Sequence, residues 1–282
     1  MLFVEKQGCT IPKLGLGTWE SEGEDCYHAV SKALAEGYRH IDTAQAYGNE
    51  EHVGRAIAES HVERDAVFLT TKIWIEEIEK EAFESSLDES LSKLRTDYVD
   101  LVLLHWPVDS VDYDTQMEAL ESLQKKGKSR FVGVSNYTTS HLEKVRKDLN
   151  APVVTNQVEY HPYLSQAPVL DFLRDNDMFL TAYSPLARGG LMENDTLQEI
   201  ARNHGKKPGQ VILRWHMQQP DVVAIPKSTS DSHIEENLAV FDFELSDDEM
   251  DSIFALQAKN ERQVDPDFAP EWDKAEPQKR AA

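Results

Sequence analysis

The sequence predicts an α/β fold in which eight parallel strands, each followed by a helix, close into a (β/α)8 TIM barrel. Short apolar runs rich in β-branched residues recur along the chain, and a stretch with helical period follows each of them. Runs such as VDLVLL at residues 99–104 are apolar throughout, which is typical of parallel strands covered by helices. A doubly wound open sheet is the alternative, because periodicity alone does not decide whether the sheet closes.

The barrel elements follow in order along the chain. The predicted strands are residues 13–17, 38–42, 67–72, 101–105, 131–135, 154–159, 179–183 and 222–226. Apolar residues spaced three or four apart predict the helices between them. Three such stripes are Ala29, Val30, Ala33 and Leu34; Phe83, Leu87, Leu91 and Leu94; and Met117, Leu120 and Leu123. No linker-like stretch interrupts the middle of the chain, so we expect one domain over residues 1–282.

Three segments lie outside the repeat. Residues 2–12 predict a β-hairpin that turns at residues 6–8 and covers the N-terminal end of the barrel. Residues 246–256 predict an extra C-terminal helix, with Ser246 as its cap and Glu249 at the capping-box position. Residues 257–282 contain three prolines and no clear period, so we expect an extended tail.

The composition is strongly acidic, with 51 acidic against 29 basic residues and a formal net charge of −22. This charge disfavours nucleic acid as a partner and fits either an ordinary acidic enzyme or a halophilic one with an acidic, salt-adapted surface. The two cysteines are too few for a disulfide framework, and no apolar run is long enough to span a membrane. We therefore expect a cytoplasmic protein that is soluble and monomeric.

Three consecutive predicted strands end in a polar side chain that is costly to bury: Asp42, Lys72 and His105. In a (β/α)8 barrel, the C-terminal strand ends converge on one mouth, where active sites lie. Each residue alone is compatible with a turn, a solvated strand end or a hydrogen-bonded core position. Because an unpaired buried charge is expensive, Asp42 and Lys72 are better explained as partners.

These residues stand in motifs that extend through almost the whole chain. The motifs are GYRHIDTAQAYGNEEHVG at 37–54, TKIW at 71–74, SLSKLRTDYVDLVLLHWP at 90–107, GVSNY at 133–137, NQVEYHP at 156–162 and IPKS at 225–228. In this order they resemble the aldo-keto reductases, in particular microbial aldehyde and diketogluconate reductases. The resemblance implies a barrel that binds a nicotinamide cofactor without a Rossmann domain. Consistently, Gly15-x-Gly17 lacks the third glycine of a dinucleotide fingerprint, since Glu20 stands there.

The resemblance implies a catalytic tetrad of Asp42, Tyr47, Lys72 and His105. Hydride transfer to a carbonyl carbon leaves negative charge on the oxygen, which needs a proton and hydrogen-bond donors. Tyr47 would be the general acid, and a cationic Lys72 held by Asp42 would lower the pKa of its phenol from about 10. His105 would orient the carbonyl. The expected activity is NAD(P)H-dependent reduction of aldehydes and ketones to alcohols.

The resemblance also implies a cofactor site that runs from the nicotinamide to the adenosine. Tyr183 would stack on the nicotinamide, polar strand-end residues would bind its carboxamide, and the SPLARGG loop at 184–190 would cover the pyrophosphate. The residues carried over are Gly17, Thr18, Asp42, Ser135, Asn136, Gln157, Tyr183, Ser184, Pro185, Leu186, Gly189, Lys227, Ser228, Thr229, His233, Glu236 and Asn237. No metal is expected.

At the adenosine end this sequence departs from the family pattern. The family has an arginine that contacts the 2′-phosphate of NADPH where this chain has His233. A histidine is mostly neutral at pH 7 and lacks the guanidinium fork, so phosphate affinity should fall. Lys227, Ser228 and Thr229 could still bind the phosphate. We therefore expect NADPH as the cofactor, with NADH possible.

For the substrate, the resemblance places Trp19, Trp74 and Trp106 around the carbonyl site, and Trp272 in the tail could close the pocket from the far side. A small-molecule carbonyl compound is the expected partner. Two other functions stay open: a cofactor-binding, channel-subunit-like sensor with little turnover, and a barrel hydrolase that uses Asp42 and His105 with a metal. The hydrolase hypothesis leaves Tyr47 and Lys72 unexplained.

Overall fold

Eight parallel strands form the centre of the molecule, in a computed structural model that describes residues 2–278. Neighbours in the sheet are neighbours in the chain. The first and last strands also meet, because Leu14 bridges Ala224 and Gly17 bridges Lys227 in parallel register. The N–H of Gly15 donates to the carbonyl of Ala224 at 2.9 Å. The sheet thus closes, and the predicted (β/α)8 barrel is confirmed.

The strands lie within a few residues of the predicted bounds. The barrel strands are β3 (Leu16–Gly17), β4 (His40–Asp42), β5 (Phe68–Ile73), β6 (Val99–Leu104), β7 (Ser129–Ser135), β8 (Val153–Glu159), β9 (Phe179–Tyr183) and β10 (Val222–Ala224), and β1 (Phe3–Lys6) and β2 (Cys9–Pro12) precede them. β3 is shorter than expected, because its earlier part contacts β10 through isolated bridges instead of a continuous ladder.

Helices follow the barrel strands and cover the outside of the barrel. They are α1 (Gly23–Glu36), α2 (Glu50–Glu59), α3 (Ile75–Glu79), α4 (Phe83–Leu94), α5 (Tyr113–Lys125), α6 (Thr139–Leu142), α7 (Ala167–Asp175), α8 (Asp195–His204), α9 (Pro208–Gln218), α10 (Asp231–Leu238) and α11 (Asp247–Ala255). α6 continues into a π-helical segment, Glu143–Asp148. The three predicted apolar stripes are buried in α1, α4 and α5, as the spacing indicated. No helix within residues 2–278 is long and apolar enough to cross a membrane.

The N-terminal hairpin closes the bottom of the barrel. Strands β1 and β2 pair antiparallel around Gln7 and Gly8, whose positive φ angles of 49° and 76° suit a two-residue hairpin turn. Val4, Cys9 and Ile11 of the hairpin join one apolar cluster with residues of the barrel strands, most of them in the N-terminal half of their strand. The barrel side of this cluster comprises Phe68, Leu101, Leu103, Val154, Phe179 and Val223. The predicted covering role of the hairpin is therefore confirmed.

The C-terminal segment begins with α11, whose capping box of Ser246 and Glu249 is present as predicted. A short 3-10 turn, Leu256–Lys259, ends the helix, and the chain to residue 278 contains no further helix or strand. This extended stretch reaches the barrel mouth, where Phe268 contacts Trp74 and Trp106. Residues 279–282 of the predicted tail lie outside the described residues.

Candidate active site

A cavity of about 610 Å³ lies at the C-terminal ends of the barrel strands. Its wall carries most of the residues that the sequence pointed to, and they lie on or after all eight barrel strands. The predicted residues that line it are Gly17, Thr18, Trp19, Asp42, Tyr47, Trp74, His105, Trp106, Asn136, Gln157, Tyr183, Ser184, Pro185, Leu186, Gly189 and Lys227. Its volume falls in the range typical of small-molecule and cofactor sites.

A chain of polar contacts runs beneath the cavity floor. Lys72, fully buried in β5, donates to Asp42 Oδ1 at 2.5 Å, to the carbonyl of Thr43 at 2.9 Å and to Tyr47 Oη at 3.2 Å. Gln157 Nε2 donates to the other oxygen of Asp42 at 2.7 Å. The structure therefore joins Gln157, Asp42, Lys72 and Tyr47 in one network, and of these four only Lys72 does not line the cavity.

Burial and neighbouring charges shift the pKa values of Lys72 and Tyr47 in opposite directions. Burial has the largest single effect and disfavours the charged form of Lys72, but Asp42 and Tyr47 together outweigh it, so the pKa of Lys72 is raised and the side chain is an ammonium. Burial also raises the pKa of Tyr47 above its ordinary value of 10.0, although Lys72 pulls it down. We expected Lys72 to lower this pKa; its charge acts in that direction, yet the effect of burial is larger.

His105 follows β6 directly and faces the same cavity. Its ring meets Tyr47 edge to face, with ring centroids 5.7 Å apart, and Trp74 in the same manner at 5.1 Å. Burial and the nearby Lys72 charge lower the pKa of His105 well below 6.5, so the imidazole is neutral and carries one N–H. Within residues 2–278, its Nδ1 atom has no hydrogen-bond partner. His105 therefore keeps unused hydrogen-bonding capacity.

Polar side chains on the opposite wall are linked to one another. Tyr183 Oη donates to Asn136 Oδ1 at 2.8 Å, and Asn136 Nδ2 donates to the carbonyl of His105 at 3.0 Å. Ser135 lies behind the wall, where its hydroxyl donates to the carbonyl of Gln157 at 2.8 Å. Asn136, Gln157 and Tyr183 are thus brought together at the mouth, while Ser135 supports them from behind.

The residues predicted for the adenosine end lie outside the cavity wall, apart from Lys227. Ser228 is buried and accepts from the N–H of Ser230 at 3.0 Å, whereas Thr229 and His233 are exposed. On α10, Glu236 pairs with Lys207 at 2.5 Å and Asn237 is buried. These residues lie between the end of β10 and α10, and of them only Lys227 lines the cavity.

Aromatic rings form the outer part of the cavity. Phe268 from the tail packs edge to face on Trp106 and Trp74, with centroids 5.2 Å and 6.0 Å apart. Trp272 does not line the cavity itself but lies behind Trp106, at 6.1 Å. The predicted pocket tryptophans are thus close to the site, with Trp272 one layer further out.

Several lining residues were not predicted: Glu20, Ala46, Arg188, Ile225, Pro226, Val264, Pro266 and Phe268. Arg188 lies within the SPLARGG motif, and its guanidinium stacks 4.4 Å from the centroid of the Trp19 ring. The SPLARGG motif could therefore have predicted Arg188 as a residue of the cavity wall. No local pattern points to Phe268, because its segment has no period.

The alternative hydrolase hypothesis would use Asp42 and His105 with a metal. Both oxygens of Asp42 are engaged, by Lys72 and by Gln157. No group of three or more histidine, cysteine, aspartate or glutamate side chains lies together in a form that could hold a metal, as far as residues 2–278 are concerned. The metal-dependent hydrolase hypothesis therefore gains no support from the geometry.

Comparison with known proteins shows the family of the chain. The model of the Aldo/keto reductase family matches residues 13–258. The glyoxal reductase of Bacillus subtilis (strain 168) is 45% identical over 256 residues, which cover 90% of this chain and 92% of the relative. The methylglyoxal reductase DkgB of Salmonella typhimurium (strain LT2) is 42% identical over 268 residues, covering 94% and 100%. The crystal structure of a putative 2,5-diketo-D-gluconic acid reductase B superposes with a TM-score of 0.94 at 45% identity, covering 96% and 97%.

Proposed function

The chain belongs to the aldo/keto reductase family, and from that premise we propose that it reduces aldehydes and ketones to alcohols with NADPH, and with NADH as a possible substitute. The observation that carries the proposal is the polar network that ends at the cavity in the Tyr47 hydroxyl, 3.2 Å from the Lys72 ammonium. The neutral His105 faces the same space. Together these groups supply a proton donor, a charge to stabilise its anion, and a group to aim the carbonyl.

The residues around the cavity fit a nicotinamide dinucleotide. Tyr183 offers an aromatic face, and Asn136 and Gln157 offer amide groups for the carboxamide. Arg188 and Lys227 place positive charge at the cavity of an otherwise acidic protein, which suits phosphate groups. When bound, the reduced nicotinamide supplies a hydride to the carbonyl carbon.

Tyr47 then protonates the carbonyl oxygen. A phenol is a weak acid, and burial makes Tyr47 weaker still, so the reaction depends on stabilising the phenolate that forms. Lys72 does this through its contact with Tyr47 Oη, while Asp42 keeps Lys72 charged. His105 donates its single N–H to the carbonyl oxygen and so fixes the position of the substrate beside Tyr47.

The substrate class that we propose is small aldehydes and ketones with an apolar or compact remainder. The wall formed by Trp19, Trp74, Trp106 and Phe268 offers few polar anchors. The names of the glyoxal and methylglyoxal reductases among the relatives support small dicarbonyl compounds as substrates to test. A cofactor sensor without turnover would not need the Tyr47–Lys72 contact.

The decisive experiment follows oxidation of NADPH and of NADH with glyoxal, methylglyoxal and benzaldehyde, with and without a chelator. We expect turnover that the chelator does not affect. Tyr47→Phe should lower kcat by at least about 10²-fold and leave the Kd of NADPH nearly unchanged, because it removes only the proton donor. Tyr27→Phe, which removes a phenol hydroxyl on α1 that donates to Glu59 and does not line the cavity, serves as the control. Full activity in Tyr47→Phe, or tight cofactor binding without turnover in the wild type, would contradict the proposal.

A further inference from the structure

A carboxylate with no assigned role lies at the end of β8, next to the site. Glu159 is completely buried and belongs to the NQVEYHP motif, yet it lines no part of the cavity. His161, also completely buried, places its Nε2 atom 2.8 Å from Glu159 Oε1. The ring's other nitrogen, Nδ1, accepts from the N–H of Tyr163 at 3.2 Å, so the proton is on Nε2 and His161 donates to Glu159.

The remaining partners of Glu159 come from the C-terminal tail. The N–H of Gln263 donates to Glu159 Oε1 at 2.7 Å, and the N–H of Val264 donates to Oε2 at 2.8 Å. Charge-assisted hydrogen bonds of this kind are about twice as strong as neutral ones. Because a buried carboxylate is costly unless it is fully hydrogen-bonded, the tail and Glu159 hold each other in place.

The pinned segment leads directly into the outer wall of the cavity. Val264, Pro266 and Phe268 line the cavity, and Phe268 rests on Trp74 and Trp106. Phe268 is 51% exposed, so apolar burial alone holds it weakly. The position of this wall therefore depends on how firmly residues 263–264 are fixed.

Other anchors hold the tail further along the chain. Asp273 accepts from the N–H and the hydroxyl of Thr139, at 2.8 Å and 2.6 Å, and Ser165 donates to the carbonyl of Glu276 at 2.6 Å. These contacts lie on the far side of Phe268 from Glu159. Loss of the Glu159 contacts would thus loosen the wall at its near end without releasing the whole tail.

We infer that Glu159 is a positioning residue for substrate specificity, which fixes the tail so that Phe268 forms the distal wall of the carbonyl pocket. This inference rests on the proposed reductase function. It predicts that Glu159 matters for carbonyl substrates large enough to reach Phe268, such as aromatic aldehydes, and little for two-carbon substrates such as glyoxal.

The test combines two readouts on the full-length protein. In Glu159→Gln, which keeps the shape and removes the charge, amide hydrogen exchange over residues 260–268 should become faster. The ratio of kcat/KM for 2-naphthaldehyde to that for glyoxal should fall by roughly tenfold, through KM, as expected for a lost apolar contact. Glu271→Gln removes an exposed carboxylate from the same tail and should change neither readout.

The variant Phe268→Ala removes the cavity wall but leaves the hydrogen bonds between Glu159 and residues 263–264 intact. It should lower the naphthaldehyde-to-glyoxal ratio while exchange at residues 263–264 stays slow. If Glu159→Gln does not fold, Glu159→Asp, which keeps the charge but shortens the side chain, is subjected to the same two measurements.

Unchanged hydrogen exchange in the Glu159 variant would show that Glu159 does not fix the tail. Faster exchange with an unchanged naphthaldehyde-to-glyoxal ratio would show that fixing the tail has no role in substrate specificity. Absence of turnover in the wild type would instead contradict the proposed function. The exchange measurement would still decide whether Glu159 fixes the tail.

Discussion

At the scale of single residues, Asp42 connects the two sides of the site. One of its oxygens accepts from Lys72 and the other from Gln157, which also faces the cavity. Breaking a buried ion pair by removing one partner typically costs about 3–5 kcal/mol, because the other charge is left uncompensated. Removing Asp42 or Lys72 alone should therefore destabilise the barrel mouth as well as affect the proposed chemistry.

The pKa directions at the site predict a flat pH profile on the acid side. The pKa of Tyr47 lies above 10.0 and that of His105 well below 6.5, so lowering the pH from about 8 to about 6 changes the protonation of neither. The kcat/KM for an aldehyde, measured across this range, should change by less than about twofold. Circular dichroism at each pH controls for unfolding. Half-loss of activity near pH 6.5 would show that His105 titrates normally and would contradict the neutral imidazole.

Tyr47, Lys72 and their neighbours could be predicted from the sequence because each follows or ends a strand within a dense local motif. The structure brings these motifs to one cavity, as expected. Phe268 and the partners of Glu159 could not be predicted, because they meet only through contacts between residues about 100 positions apart, 159 and 263–264. The net direction of the Tyr47 pKa was also missed, since it depends on burial and not on residue types alone.

At the scale of elements, helices α2 and α4 pack closely at a glycine. A Cβ atom on Gly54 would lie 2.5 Å from the backbone of Leu94, a contact that cannot be relieved by a side-chain rotation. Gly209 in α9 is different, since its added Cβ would meet only the Met192 side chain, at 3.9 Å. Alanine substitutions at Gly54 and Gly209 can therefore be compared, one where the added Cβ atom clashes and one where it does not.

We expect Gly54→Ala to lower the free energy of unfolding by about 1–3 kcal/mol, because the helices must separate. Gly209→Ala should leave it unchanged or raise it by up to about 1 kcal/mol, because alanine favours the helix. Urea unfolding of both variants measures the difference. Equal stability of the two would mean that the α2–α4 contact is looser than the structure has it.

The element bounds show where periodicity is informative. Long amphipathic stretches such as α1 and α4 matched their buried stripes, and the Ser246–Glu249 capping box marked the start of α11. Short strands at the barrel seam were harder, because β3 and β10 contain only two and three residues in regular ladders. Their pairing is specified by closure of the whole sheet and not by their own residues.

At the scale of the whole molecule, the dominant electrostatic property is the net charge of −22. Lysines and arginines on the surface pair widely with acidic residues, as in the Lys128 contacts to Glu84 and Asp88, but acidic residues still outnumber them. Such an excess destabilises the compact state through self-repulsion.

Salt should therefore stabilise the protein. Between dilute buffer and about 1 M KCl the Debye length shrinks to about 3 Å, which screens the repulsion between surface carboxylates. We expect Tm to rise over this range, measured by thermal unfolding. Sorbitol at matched osmolality controls for effects that do not depend on charge. A Tm that responds equally to both, or to neither, would contradict the salt-adapted interpretation.

The closure of the barrel has a consequence for synthesis of the chain. At the seam, Leu14 and Gly17 pair with Ala224 and Lys227. The segment that contains β3 therefore cannot pair on this side until residues 222–227 have been synthesised. A nascent chain that lacks residues 222–227 has an open edge on β9, and such edges promote misassembly. Stalled or truncated translation products that lack residues 222–227 should thus depend on chaperones more than the full chain does.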